Sequence, residues 1–173
     1  MRLLNQLLGD VRVLNDIELN PEIAGLEYDS RKVSAGDCFF AVVGTASDGH
    51  NYIDSAIEKG AVAIVCQRLP ENVREDVAYI VVEDSNIAMA QMAAAYYDNP
   101  SRELKLVGVT GTNGKTTIAT LLYNMFRRLG HKCGLLSTVC NYIEDTPIEA
   151  SHTTPDPIEL NALLAKMVEA GCE

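Results

Sequence analysis

The sequence lacks the features of a membrane span, of a cysteine metal site and of a nucleic-acid-binding protein. No stretch approaches about 18 consecutive apolar residues, and the apolar part of MRLLNQLLGD at the start is too short for a signal peptide. The five cysteines show no CxxC pair and no metal-ligand spacing, which indicates a reducing compartment. A formal net charge of −10 argues against non-specific binding to nucleic acid. We therefore expect a cytoplasmic protein with no membrane span and no nucleic-acid partner.

One segment carries most of the chemical information. Residues 111–117 read Gly-Thr-Asn-Gly-Lys-Thr-Thr, after the apolar run 106–109 and before a helical pattern from Ile118 to Leu129. A strand, a glycine loop and a helix in this order form a phosphate cradle, because glycines let backbone N–H groups approach an anion and the helix N-terminus adds its positive dipole end. We expect Lys115 to reach the outer phosphate oxygens and Thr116 to hold a magnesium ion.

The glycine loop departs from the full P-loop pattern, which has a glycine where Val109 stands, so that only the shorter form GxxGK[ST] is present. The alternative is an ordinary glycine turn before a helix with an exposed lysine. Residues 101–135 hold six basic side chains against Glu103 alone, which suits a polyphosphate ligand. Arg127 and Arg128 equally suit the C-terminal end of a helix.

Apolar runs and helical spacings alternate along the chain and predict an α/β fold. Strands are expected at 38–43, 61–66, 78–82, 104–110 and 133–139, and helices at 2–8, 52–59, 86–97 (with Ser85 as its cap), 118–129 and 157–170. The segment Asp98-Asn99-Pro100-Ser101 breaks the pattern and predicts a boundary between a domain at 1–100 and a second domain at 103–173. The second domain has too few strands for a nucleotide-binding sheet, so we expect a fragment of a longer enzyme.

Two further polar segments are candidates for ligand binding. In the first, Asp29-Ser30-Arg31 and Asp48-Gly49-His50 flank a predicted strand, but each also reads as an ordinary turn. In the second, Asp156 and Pro157 are explained as the N-cap and first residue of a helix, whereas the two threonines ahead of them, in 151–154, are left free for a ligand. The three histidines show no metal spacing, and none is expected to act as a catalytic imidazole.

Taken together, these segments resemble the Mur ligases of bacterial cell-wall synthesis. The resemblance covers nearly the whole chain and lies in YDSRKVSAGDCFFAVVGTASDGHNYIDSAIEKGAVAIV (28–65), VGVTGTNGKTT (107–117) and HTTPDP (152–157). The loop GTNGKTT is shared by all Mur ligases and by folylpolyglutamate synthetases, where the missing glycine at Val109 is normal. The first stretch is shared with the ligase that adds D-Ala-D-Ala, whereas TTPDP points to the members that add a diamino acid.

The resemblance implies a fold and an activity. The fold is a small N-terminal α/β domain that binds UDP-substrate (1–100), followed by the beginning of a P-loop, mostly parallel α/β domain that binds ATP (103–173). The activity is an ATP-dependent, ADP-forming ligation in peptidoglycan synthesis, and hence in cell shape and division. The D-glutamate carboxylate of UDP-N-acetylmuramoyl-L-alanyl-D-glutamate is phosphorylated, and meso-diaminopimelate or L-lysine then attacks the acyl phosphate.

The same resemblance implies roles for individual residues. The ATP-binding residues would be Gly111, Thr112, Asn113, Gly114, Lys115, Thr116 and Thr117, with Lys115 catalytic at the β/γ-phosphates and Thr116 a ligand of Mg²⁺. The UDP-substrate would be bound by Tyr28 and Ser30 at the uridine end, by Thr45, Ala46 and Ser47 at the UDP moiety, and by His152, Thr153 and Thr154 at the muramoyl-peptide portion.

Two alternatives stay open at this stage. One is the related ligase that adds D-Ala-D-Ala, and the other is a P-loop nucleotide-binding module without ligase activity. The 28–50 stretch argues against the module, since a simple P-loop ATPase has no use for such a preceding domain. The family's further magnesium ligands, its modified lysine and its amino-acid-binding domain would lie beyond Glu173, so we expect this chain to be inactive alone. We also expect a monomer.

Overall fold

The computed structural model describes residues 1–44, 47–148 and 155–173, in two compact units, Met1–Tyr96 and Tyr97–Glu173. The first unit contains, in chain order, β1 (Arg2–Leu3), α1 (Leu4–Leu7), β2 (Glu22–Ile23), β3 (Gly25–Glu27), β4 (Asp37–Phe40), a 3₁₀ turn (Gly49–Tyr52), α2 (Ile53–Glu58), β5 (Ala63–Cys66), β6 (Ala78–Val81) and α3 (Ser85–Tyr96). The second contains a 3₁₀ turn (Pro100–Arg102), α4 (Lys115–Arg128), β7 (Gly134–Leu135), β8 (Asn141–Ile143), β9 (Thr146–Ile148) and α5 (Pro157–Glu169). The predicted α/β class is confirmed. None of the helices in the described ranges has the length and apolar character needed to cross a membrane.

A four-stranded parallel sheet forms the centre of the first unit, in the order β3-β4-β5-β6. Phe39 of β4 lies opposite Ile64 of β5, and Val65 lies opposite Ile80 of β6. All four residues of β5 are buried, which is typical of a parallel strand covered on both faces. Because the strands are parallel, their carboxyl ends meet at one edge of the sheet. We call this edge, formed by residues 28–31, 41–44, 47–50 and 67–68, the carboxyl edge.

The core of the first unit is built from the apolar runs that the sequence predicts as strands, together with helix α2. Phe39 and Ile64 are fully buried, and Ile53, Ala56 and Ile57 bring one face of α2 against them. This spacing of three and four residues is the helical pattern on which the prediction for 52–59 rests, and the helix is confirmed.

Strand β4 is shorter than predicted because the chain turns back on itself directly after it. The strand ends at Phe40, and a narrow hairpin follows in which Val43 forms an antiparallel bridge with Asp48. Gly49 closes the hairpin against the backbone of Val42, where an added Cβ would lie 2.6 Å from the Val42 nitrogen. Only glycine permits this approach. Residues 45–46 lie outside the described ranges.

The expected cap of the third long helix is wrong by one residue. Helix α3 begins at Ser85 itself, and the carboxylate of Asp84 accepts hydrogen bonds from the N–H groups of Asn86 and Ile87, at 2.7 and 3.3 Å. Ser85 is fully buried instead of facing the solvent at the helix start. Aspartate is as good an N-cap as serine, so residue preference could not separate the two.

In the second unit, the strand predicted at 104–110 is wrong. Leu106 and Val107 are 59% and 68% exposed, and in the described ranges no backbone hydrogen bond joins 106–110 to another segment. The Lys105 N–H does donate to the Glu173 carbonyl at 2.7 Å, and the Glu173 N–H donates to the Lys132 carbonyl at 3.1 Å. The Glu173 backbone therefore bridges Lys105 and Lys132, and within the described ranges the residues after Lys105 pair with no strand.

The strands of the second unit are antiparallel, in the order β7-β8-β9. Only Gly134–Leu135 of the strand predicted at 133–139 is observed, and the loop expected after it contains the hairpin β8-β9. The two helices of this unit are confirmed, α4 with an earlier start than predicted and α5 with the predicted cap. Asp156 accepts hydrogen bonds from the N–H groups of Ile158 and Glu159, each at 2.9 Å.

Candidate functional site

The phosphate loop of the second unit runs directly into a helix N-terminus. Gly114 has φ +79° and precedes α4, whose first hydrogen bond runs from the Ile118 N–H to the Gly114 carbonyl at 2.9 Å. The backbone N–H groups of the first helical turn, at 115–117, are therefore left to a ligand. Together with the helix dipole they make an anion site at the position that the glycine pattern predicts.

Lys115 and Thr116 lie at the start of this helix. The Lys115 ammonium donates to the Gly111 carbonyl at 2.6 Å, which holds the charge over the loop. No carboxylate in the described part of the chain pairs with it, so its charge is available for a phosphate. The Thr116 Oγ1 lies 3.5 Å from the Thr138 Oγ1. Thr138 was not among the predicted site residues, because nothing in its sequence neighbourhood marks it.

A groove of about 1060 Å³ opens beside the loop within the second unit. Its walls are residues 104–109, 112–117 and 131–138, with Leu164 and Met167 of α5 beneath. The groove is mostly apolar apart from the loop itself. It therefore presents the phosphate-binding groups at the edge of an apolar surface.

The basic residues around the loop do not act as one group. Arg127 pairs with Asp145, and Lys132 lies 2.8 Å from Glu144, which raises the pKa of the lysine. Both acidic partners belong to the turn between β8 and β9. These two cations are therefore neutralised within the unit, and Lys115 remains the cation on the loop.

At the carboxyl edge of the first unit, the residues after β3 form a tightly bonded turn. The Asp29 carboxylate accepts from the Arg31 backbone N–H at 3.0 Å and from two guanidinium nitrogens at 2.8 and 2.9 Å. The hydrogen bonds from Arg31 lower the pKa of Asp29 to about 2. The turn holds Ser30 half-buried between these two residues, while Tyr28 is exposed.

Lys59, at the end of α2, fastens this turn from a second element. Its ammonium donates to the carbonyl oxygens of Ser30 and Arg31, at 2.8 and 3.1 Å. A cation that bridges two consecutive carbonyls fixes the path of the backbone. The predicted substrate contact Ser30 is therefore held from both sides of the turn.

The hairpin after β4 is held at the same edge by a polar cluster that the sequence did not reveal. His50 is 5% exposed; its Nδ1 lies 2.6 Å from Asp48 Oδ1, and its Nε2 accepts from the Gln67 backbone N–H at 2.9 Å. The second oxygen of Asp48 accepts from Arg68 at 2.6 Å. The hydrogen bond from Arg68, and after it those from the backbone and ring of His50, hold the pKa of the Asp48 carboxyl well below its usual range. We call the side chains of Asp48, His50 and Arg68, together with the Gln67 backbone N–H, the Asp48 cluster.

The predicted residues fall into three groups. Tyr28, Ser30 and Ser47 lie at the carboxyl edge of the first unit. The loop 111–117 lies at the start of α4 in the second unit. Five predicted substrate contacts lie outside the described residues: Thr45, Ala46, His152, Thr153 and Thr154.

The sequence leaves Asp48-Gly49-His50 open between a ligand-binding segment and an ordinary turn, and it indicates no role for the Asp48 and His50 side chains. The spacing does contain a usable signal, because aspartate two residues before histidine can accept both from the histidine backbone and from its ring. The partners Gln67 and Arg68 follow β5 and become neighbours only through the parallel pairing of β4 with β5. In the described ranges, no group of three or more His, Cys, Asp or Glu side chains could hold a metal ion.

Comparisons with known proteins find similar sequences and similar folds. A curated relative from Parabacteroides distasonis, "UDP-N-acetylmuramoyl-L-alanyl-D-glutamate--2,6-diaminopimelate ligase", is 60% identical over 154 residues, which are 89% of this chain and 32% of the relative. A solved structure of a protein of the same description has a TM-score of 0.69 at 25% identity, over 87% of this chain and 30% of that one. A MurF ligase from Thermotoga maritima, solved in complex with ADP, has a TM-score of 0.53 at 28% identity, over 80% of this chain and 28% of that one.

The chain spans about a third of the length of the curated relatives it matches. Two family models match consecutive parts of it. The model described as "Mur ligase family, catalytic domain" matches residues 22–97, and the "Mur ligase middle domain" matches residues 109–173. With the two models in this order, one over each compact unit, the chain belongs to the Mur ligase family.

Proposed function

We propose that this chain is the substrate-binding and ATP-binding part of a MurE-type ligase. Such an enzyme adds 2,6-diaminopimelate to UDP-N-acetylmuramoyl-L-alanyl-D-glutamate during peptidoglycan synthesis. The observation that carries the proposal is the 60% identity to a ligase of that name, which extends over 89% of the chain. The name of this relative also favours diaminopimelate over L-lysine as the added amino acid.

The proposed chemistry starts from a substrate that does not react unaided. A carboxylate is a poor electrophile, and ATP supplies the phosphoryl group that turns it into an acyl phosphate with a good leaving group. Transfer of that group depends mostly on positioning and on neutralising charge. Positioning and charge neutralisation both come from the start of α4. The N–H groups at 115–117 and the Lys115 ammonium are fixed there before any ligand arrives.

Thr116 is the residue proposed to ligate magnesium. Its hydroxyl lies beside that of Thr138 at the helix start, and hydroxyl oxygens suit a hard cation such as Mg²⁺. One or two protein oxygens are enough where the nucleotide's phosphates and water complete the octahedron. The described residues fit such a partial site.

The first unit is proposed to hold the UDP end of the substrate at its carboxyl edge. Ligands of open α/β sheets bind outside the carboxyl ends of the strands, where Tyr28, Ser30 and Ser47 lie. The proposed substrate contacts also include Thr45, Ala46, His152, Thr153 and Thr154, which lie outside the described residues. The division into a UDP-substrate domain at 1–100 and an ATP domain at 103–173, a cytoplasmic location and a monomeric state belong to the same proposal.

The proposal is tested in the parent enzyme that contains this chain. We expect release of ADP and phosphate only when ATP, UDP-N-acetylmuramoyl-L-alanyl-D-glutamate and meso-diaminopimelate are all present. Lys115→Ala should lower kcat by roughly 10²–10³-fold, the scale of losing one preorganised charge-stabilising donor. The matched control is Lys166→Ala, which removes an exposed lysine from the far part of α5.

Four results would contradict the proposal in different ways. Full turnover by Lys115→Ala would remove the role given to this lysine. Preference for L-lysine would overturn the choice of amino acid, and activity only with a UDP-tripeptide and D-Ala-D-Ala would favour the related ligase. ATP binding without any affinity for UDP-substrates would favour a nucleotide-binding module.

A further inference from the structure

The Asp48 cluster places an arginine at the carboxyl edge of the first unit, and the proposed function gives this arginine no role. Arg68 follows β5 by two residues and is 61% exposed. Its Nη2 donates to Asp48 Oδ2 at 2.6 Å. Among the described residues, no partner is found for its Nε or its Nη1. A guanidinium has five N–H donors, so most of them remain for a ligand.

The cluster fixes where this guanidinium lies. Asp48 is bonded on one side to the backbone and ring of His50, and the ring is in turn bonded to the Gln67 backbone N–H at 2.9 Å. The imidazole is nearly buried, at 5% exposure, and both of its nitrogens are occupied. The Asp48 carboxylate therefore cannot follow Arg68 into solvent, and it holds one edge of the guanidinium in place.

The position is next to the proposed UDP site. Asp48 directly follows Ser47, whose carbonyl accepts from the Gly44 N–H at 2.9 Å in the stem of the hairpin. The hairpin and Arg68 follow β4 and β5, which are adjacent strands of the parallel sheet. An arginine fork matches the geometry of phosphate oxygens better than a lysine does, because it can donate two parallel hydrogen bonds.

We propose that the Arg68 guanidinium binds the diphosphate of the UDP-substrate, with Asp48 and His50 as positioning residues that hold it at the carboxyl edge. This inference rests on the proposed function of the first unit and names the group that would contact the charged part of the nucleotide. The uridine would be recognised separately, by the turn at 28–31.

Binding of UDP and of uridine to the 173-residue chain separates the charged contact from the contacts to the nucleoside. Isothermal titration should show that the wild type binds UDP more tightly than uridine. Arg68→Ala should weaken UDP binding about tenfold or more, the usual range for a hydrogen bond to a charged group, and leave uridine binding unchanged. The UDP affinity of Arg68→Lys should lie between those of the wild type and Arg68→Ala, because lysine keeps the positive charge but cannot donate two parallel hydrogen bonds to a phosphate.

The matched control is Arg74→Ala. Arg74 is 53% exposed and is paired with Asp76, much as Arg68 is paired with Asp48. It precedes β6, so it lies at the opposite edge of the sheet, and its loss should change neither affinity. Far-UV circular dichroism of each variant shows whether the chain is still folded. If Arg68→Ala does not fold, Arg68→Gln replaces it as the test variant.

Several outcomes would overturn the inference. Equal affinity of the wild type for UDP and uridine, or wild-type UDP binding by Arg68→Ala, would show that the guanidinium does not contact the diphosphate. Loss of UDP binding in Lys115→Ala but not in Arg68→Ala would place UDP on the phosphate loop. If the parent enzyme ligates its substrate and Arg68→Ala leaves KM for the UDP-substrate unchanged, this inference fails while the proposed function stands. Absence of any UDP binding alongside ATP binding would overturn both.

Discussion

Asp29 is a residue whose behaviour follows from one neighbour. The hydrogen bonds from Arg31 stabilise its charged form and lower its pKa to about 2. In an unfolded chain, the pKa of an aspartate carboxyl is about 3.9. The contribution of this carboxylate to stability is therefore fully present above about pH 4, and it is lost as the pH falls through about 2.

We predict that carbon NMR will follow the Asp29 carboxyl to a pKa near 2 in the wild-type chain. In Arg31→Ala the pKa should rise towards the ordinary aspartate value, because the largest stabilising contact is gone. Arg74→Ala, which removes another aspartate-paired arginine of the same unit, should leave the Asp29 titration where it was. A wild-type Asp29 that titrates at the ordinary value would show that the turn is not closed by Arg31 in solution.

The contacts of Asp29 and Lys115 are local enough for a sequence to indicate them, but those of Lys59 and His50 are not. The first two act within four residues of their partners, Arg31 and Gly111. Lys59 meets Ser30 from 29 positions away, and His50 meets Gln67 from 17 positions away. Such contacts depend on the order of strands in the sheet, which local patterns do not specify.

Among the elements, the hairpin after β4 depends most on a single residue. An added Cβ at Gly49 would lie 2.6 and 2.8 Å from the Val42 nitrogen and oxygen, which are backbone atoms that cannot rotate away. We predict that Gly49→Ala lowers the stability of the first unit by about 1–3 kcal/mol, the usual cost of forced overpacking. Urea unfolding followed by circular dichroism measures the change.

Gly9→Ala is the control for this substitution, since an added Cβ at Gly9 would meet nothing within 4 Å. It should leave the unfolding midpoint close to that of the wild type. An unchanged midpoint in Gly49→Ala would mean that the hairpin opens at little cost. In that case its close contact with Val42 would not be what positions Ser47.

The sequence predicts an element well when the cap, turn and spacing residues that determine it lie within the element. It predicts an element poorly when that element forms only by pairing with another strand. Helix α5 has its cap, its first-position proline and its apolar spacing in one stretch, and it was confirmed with its start at Pro157. The run 104–110 has an equally apolar sequence but is exposed, because a strand forms only against a partner. The hairpin β8-β9 was missed because Glu144-Asp145 is not one of the residue pairs that mark a two-residue hairpin turn, although Glu144 has a left-handed φ of +49°.

At the scale of the whole molecule, the family could be predicted more directly than the site. Two segments separated by about 40 residues, the stretch at 28–65 and the loop at 107–117, identify a Mur ligase, and both family models match. The side chains that surround the phosphate loop could not be predicted from sequence motifs. The Thr138 hydroxyl and the pairing of Arg127 with Asp145 arise from packing between elements.

The last prediction concerns what the 173-residue chain does alone. Thr116, the proposed magnesium ligand, has a single side-chain oxygen, and in the described ranges no group of three or more His, Cys, Asp or Glu side chains could hold the ion. Lys115 is the cation on the phosphate loop, since Arg127 and Lys132 are paired with acidic residues. We therefore expect the chain to bind nucleotide without forming the amide bond, with no ADP release above that of its Lys115→Ala variant. Mass-spectrometric detection of the UDP-tripeptide, in a sample shown to be free of the host's own ligase, would contradict this and would mean that the two units already contain the whole catalytic apparatus.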